Sequence, residues 1–193
     1  GLGFVEKVLL AYFFGTGFEV DAYLVAYALP FSAYVVLREV VKPSFLPTFL
    51  RTRRDSEVGS LRLTSVSATV LVLSLGAITL AAVLAAAPLI SMAAPGFEGE
   101  QFRLAVRLAR VVAPAFLFLG LSTLTTAVLH ADKRFGLPAL GEAVFRAAPV
   151  ALLLAAAGGG IMVVAVGVVA GAAGKLLVEA AGLRRWLVRL RPS

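Results

Sequence analysis

Between Thr64 and Phe97 the chain carries no Asp, Glu, Lys or Arg, and the same holds from Val111 to Ala131 and from Ala147 to Gly174. About 20 consecutive apolar residues suffice for an α-helix to cross the hydrocarbon core of a bilayer. Inside that core the backbone must satisfy its own hydrogen bonds, which a helix does. These runs therefore constrain the chain more than any motif does. Composition agrees: of 193 residues, 60% are hydrophobic and only 15% charged, where a soluble domain carries roughly a quarter. Mean hydropathy is +0.95. A soluble enzyme and a disordered chain are both excluded by that balance.

The runs divide into six spans, near 1–15, 20–42, 63–93, 103–131, 137–157 and 161–182. Gly15-Thr16-Gly17 separates the first two, Pro43 ends the second, and Gly158-Gly159-Gly160 turns the fifth into the sixth. The first span is short, begins without methionine and reads as cut off. Residues 1–182 are thus expected to form one six-helix membrane unit, all-α and polytopic, with 183–193 as a basic cytoplasmic tail.

The 18 Lys and Arg against 11 Asp and Glu give a net charge of +7. They gather at span ends, so they report topology rather than nucleic acid. Arg51, Arg53, Arg54 and Arg62 lie between spans two and three, Lys133 and Arg134 between four and five, and Arg184, Arg185, Arg189 and Arg191 in the tail. The alternate loops carry Glu19 and Asp21, then Glu98 and Glu100. By the positive-inside rule both termini are cytoplasmic. The tail reads as a topology anchor, with contact to the anionic inner leaflet as the other reading.

Several chemistries are absent from the sequence. There is no cysteine and one histidine, His130, so neither a thiolate site nor a histidine metal cluster can form. No phosphate-binding glycine loop is present, and the first run does not read as a cleavable leader. His130 reads as interfacial rather than catalytic. No cofactor is expected.

Ionisable residues at membrane depth are costly and mark candidate sites. Glu6 and Lys7 lie on the first span, and as neighbours they point about 100° apart. Each needs a partner on another helix or a wet cavity. Arg38, Glu39 and Lys42 lie near the cytoplasmic end of the second span, where Arg38 and Lys42 share a face. Glu142 and Arg146 are four apart on the fifth, as are Lys175 and Glu179 on the sixth, so each couple can neutralise itself. Lys175 and Glu179 are expected to snorkel towards the cytoplasmic end. Arg103, Arg107 and Arg110 recur on one side of the fourth span at its non-cytoplasmic start. They read either as interfacial cations paired with Glu98 and Glu100 or as a patch for an anionic headgroup. Pro30, Pro88, Pro114 and Pro149 are expected to interrupt their spans.

Gly3-Phe4-Val5, Ala11-Tyr12-Phe13-Phe14-Gly15, Asp21 to Tyr27 and Pro30 resemble the start of the MviN/MurJ lipid II flippases. Glu39 with Pro43-Ser44-Phe45-Leu46-Pro47, then Ala94-Pro95-Gly96-Phe97, Arg110 with Pro114, and Arg134-Phe135 with Pro138 continue the likeness in order. The resemblance covers nearly the whole chain but only the family's N-terminal six-span lobe. It implies one lobe of the multidrug/oligosaccharidyl-lipid/polysaccharide exporter fold, in which two lobes enclose a cationic cavity. It further implies movement of an undecaprenyl-pyrophosphate-linked precursor across the bacterial inner membrane by alternating access, without catalysis. Glu6, Lys7, Arg38, Glu39, Lys42, Glu142 and Arg146 are the expected substrate-binding residues. Besides matching one lobe only, the chain departs from the family pattern in its cavity charges at three places. The family's Arg-acid order is reversed at Glu6-Lys7, and its paired arginines are missing from Pro30-Phe31-Ser32-Ala33-Tyr34-Val35. Arg146 replaces a family asparagine. The implied partners are an anionic lipid-linked substrate, membrane lipids, and a second lobe, second copy or partner membrane protein. The alternative is a non-transporting, flippase-like subunit that binds or regulates a cell-wall synthesis partner. Gly167 and Gly171, four apart on the sixth span, suit docking as well as internal packing.

Overall fold

The computed structural model describes residues 15, 17–156 and 159–189, with side chains except at 42, 55, 57, 58, 60, 61 and 184–189. Six helices form within them: α1 (Phe18–Asp55), α2 (Glu57–Leu84), α3 (Ala86–Ala93), α4 (Gly99–Ala131), α5 (Gly136–Ala155) and α6 (Ile161–Arg189). All but α3 are long and apolar enough to cross a membrane. The chain is an all-helical, multi-pass membrane bundle. The expected first span, with Glu6 and Lys7, lies outside the described residues, as does the side chain of Lys42.

The second span does not end before Pro43. α1 continues through Pro30, Pro43 and Pro47 to Asp55. Each proline forfeits one backbone bond, but ending the helix in an apolar medium would strand several. Neighbouring hydroxyls bond back onto backbone carbonyls beside these prolines: Ser32 Oγ to Leu29 O at 2.9 Å and Ser44 Oγ to Val40 O at 2.8 Å. Pro114 and Pro149 likewise lie inside α4 and α5. Of the four prolines expected to interrupt spans, Pro88 alone sits at a break. It occupies the first turn of α3, where no N–H is needed, and its ring excludes the carbonyl of Leu84, where α2 ends. Ser56 separates α1 from α2. Its extended backbone ends one helix, and its Oγ accepts from Gly59 N at 3.0 Å to start the next. Gly160 takes φ +70° just before α6, a conformation suited to glycine.

α4 is the centre of the bundle, packed against α1, α2, α3 and α6, while α5 packs chiefly on α6. Ala105, Leu108, Val112, Ala115 and Leu119 of α4 meet Tyr23 and Ala26 of α1 and Val164, Ala165 and Val168 of α6 in the core. α2 is peripheral and exposes Val66, Val70, Leu73 and Leu80, as lipid-facing residues do. The Gly167–Gly171 face is used inside the bundle. A Cβ at Gly167 would stand 2.6 Å from Pro149 Cα, and one at Gly171 2.6 Å from Phe145 O. That stripe therefore holds α5 against α6 and is not open for docking.

Arg53, near the end of α1, pairs with Asp132, just after α4. α1 and α4 thus run parallel. Gly182 of α6 packs beside Leu137 and Leu129, so α6 ends on the same side. The Arg51–Arg54 end of α1, the Lys133–Arg134 loop and the end of α6 share one end of the bundle.

Candidate functional site

A cavity of about 460 Å³ is lined by Tyr34, Arg38, Glu39 and Pro43 of α1, Thr123, Thr126 and His130 of α4, Glu142 of α5 and Lys175 of α6. An aromatic ladder climbs α1 to reach it. Tyr23, Tyr27, Phe31 and Tyr34 follow one another with ring centroids 5.9, 5.1 and 5.9 Å apart.

Charge is organised around Glu142. Its Oε1 accepts from Arg146 Nε at 2.8 Å and its Oε2 from Lys175 Nζ at 2.9 Å. Lys175 also stands 3.8 Å from Glu179 Oε1. Glu179 is fully buried. Its carboxylate accepts from Ser122 Oγ at 2.7 Å, Thr125 Oγ1 at 2.6 Å and Thr126 Oγ1 at 3.0 Å. A buried carboxylate is tolerable only when hydrogen-bonded and paired, and here three hydroxyls and an ammonium supply both conditions. Gly141 makes room for this. A Cβ there would lie 3.1 Å from Lys175 Cγ and 3.3 Å from Glu179 Oε1. Across the cavity Arg38 donates to Glu39 Oε1 at 3.1 Å, both side chains being exposed.

Of the expected site residues, Arg38, Glu39 and Glu142 come together at the cavity. Arg146 does not line it but stands behind, on Glu142. Lys175 and Glu179 do not snorkel; their side chains are 8% and 0% exposed. Lys175 pairs across to α5 at closer range than along its own helix. Tyr34, Thr123, Thr126, His130 and Lys175 were not among the expected site residues. His130, expected at the interface, faces the cavity with its ring 5.2 Å from that of Phe135. One signal was present: Ser122, Thr123, Thr125 and Thr126 cluster in an otherwise apolar run. Among the described residues no group of His, Asp and Glu gathers to hold a metal ion.

A family model described as "Lipid II flippase MurJ" matches residues 10–193. The chain belongs to the MurJ lipid II flippase family. A probable lipid II flippase MurJ of Synechocystis sp. is 32% identical over 140 residues, covering 72% of this chain and 26% of the relative. The lipid II flippase MurJ of Burkholderia cenocepacia is 26% identical over 190 residues, covering 95% of this chain and 37% of the relative. A solved lipid II flippase MurJ in an inward closed conformation superposes with a TM-score of 0.82 at 22% identity, over 95% of this chain and 40% of the other. This likeness shows the fold. The chain thus spans between a quarter and two fifths of the length of these MurJ proteins.

Proposed function

We propose that this chain is the N-terminal lobe of a flippase for an undecaprenyl-pyrophosphate-linked, lipid II-like precursor, set in the bacterial inner membrane with both termini cytoplasmic. One observation carries the reading: Arg38 and the buried Lys175 face one membrane-embedded cavity, each held by a carboxylate that an incoming anion can displace. A pyrophosphate would take Lys175 from Glu142 and Arg38 from Glu39, so the acids serve as internal counter-ions. Arg146 would follow Glu142 as it moves, and Lys7, Glu6 and Lys42 would complete the site. The cavity volume equals that of on the order of fifteen waters, enough for a hydrated diphosphate. No bond is made or broken; rocking against a second lobe would turn the site to the other face.

The test is binding of undecaprenyl pyrophosphate to the detergent-purified protein. Lys175→Glu and Arg38→Glu each lower affinity about ten- to hundredfold, the worth of one charge-assisted hydrogen bond, and Lys7→Glu abolishes binding. Unchanged binding in all three overturns the assignment. It would leave the non-transporting, flippase-like subunit as the standing reading.

A further inference from the structure

At the opposite end of the bundle a second cationic feature remains unused by that mechanism. Arg103, Arg107 and Arg110 of α4 line one open cavity of about 180 Å³, whose remaining walls are Phe102 and Val106 of the same helix and Ala87 of α3. Their spacing keeps all three on one helix face. Arg103 is held by Glu100. Arg107 and Arg110 are exposed and make no ion pair among the described residues.

Depth decides what meets them. The uncharged stretch from Val111 to Ala131 is ~31 Å long at 1.5 Å per residue, which matches the hydrocarbon thickness. With Ala131 at one boundary, Arg110 falls at the other, and Arg107 and Arg103 fall one and two turns further, at the level of lipid phosphates. Basic residues are depleted on the side of the membrane away from the cytoplasm, so three on one face there need a local anion. Two guanidiniums lining one cavity with an apolar floor suit a phosphate held by paired N–H donors, with glycerol and the first methylenes on Phe102 and Ala87. We propose that Arg103, Arg107 and Arg110 with Ala87, Phe102 and Val106 bind the phosphate of an anionic glycerophospholipid in the leaflet at this end. This site is separate from the precursor cavity and does not depend on its assignment.

A local reporter tests it. Phe102→Trp in a Trp186→Phe background leaves one tryptophan, at the site. The protein is reconstituted in phosphatidylcholine vesicles containing a minor fraction of brominated phosphatidylglycerol or brominated phosphatidylcholine. The phosphatidylglycerol quenches at a lower mole fraction. Arg107→Ala with Arg110→Ala shifts its half-quenching fraction upward on the order of tenfold, about the effect expected for two cations near a lipid surface. Should that variant fail to fold, Arg110→Gln gives a smaller shift in the same direction. Arg51→Ala, at the other end, leaves quenching as it was. Equal quenching by the two brominated lipids in the three-arginine protein overturns the proposal, and so does an arginine-independent difference.

Discussion

Glu179 shows how much a single residue can demand of its surroundings. It has no exposure and four partners, and three of them come from one turn and a half of α4. Removing the carboxylate by Glu179→Ala takes the acceptor from Ser122 and Thr126, leaves Thr125 only its bond to Ser122 O at 3.0 Å, and leaves Lys175 with Glu142 alone. The expected loss is about 3–5 kcal/mol, the range for breaking a buried pair, read from the unfolding midpoint in a denaturing-detergent titration. Glu179→Gln keeps the shape and one acceptor oxygen and should lose less than Glu179→Ala. The acids and bases of this network were legible as intramembrane charges, and the Glu142–Arg146 bond was legible from spacing alone. The reach of Lys175 to Glu142 was not, because spacing within a helix says nothing about which neighbouring helix a long side chain crosses to. Gly141, whose missing side chain opens that crossing, carries no charge to draw the eye.

At the scale of the element, prolines misled about where helices stop. A proline reads as a breaker in water because the broken helix can be solvated. In this bundle Pro30, Pro43, Pro47, Pro114 and Pro149 all stay inside helices. Only Pro88, with its break at Ala85, behaves as expected. Pro43→Ala should therefore leave α1 helical and change fold stability by no more than about 1 kcal/mol, the net worth of the one backbone hydrogen bond that the proline forfeits. Glycines on α6 should be far less forgiving. At Gly171 even a methyl group would press on the backbone oxygen of Phe145, and overpacking of that kind costs about 1–3 kcal/mol. Gly171→Val should thus lower the unfolding midpoint and loosen α5 from α6. Gly76→Val, where nothing stands within 4 Å of the new Cβ, is the matched control and should leave the midpoint unchanged.

For the whole molecule, the geometry and the charge pattern address the same question independently. The Arg53–Asp132 pair and the packing of Gly182 by Leu129 and Leu137 bring three basic segments to one end. The positive-inside rule, applied to the sequence without any coordinates, asks for the same grouping. The rule goes one step further and puts that end in the cytoplasm, an assignment that labelling from each side tests. The chain contains no cysteine, so single reporters can be placed without background. Ser56→Cys and Lys133→Cys sit in the short turns at the basic end, and Gly96→Cys in the turn between α3 and α4 at the other. In sealed right-side-out vesicles a membrane-impermeant maleimide should label Gly96→Cys and spare the other two. In inverted vesicles the pattern should reverse. Labelling of Ser56→Cys and Lys133→Cys from opposite sides would contradict the parallel course of α1 and α4. Common labelling of both from outside would keep the fold and invert the topology. The arginine face on α4 would then lie in the cytoplasmic leaflet.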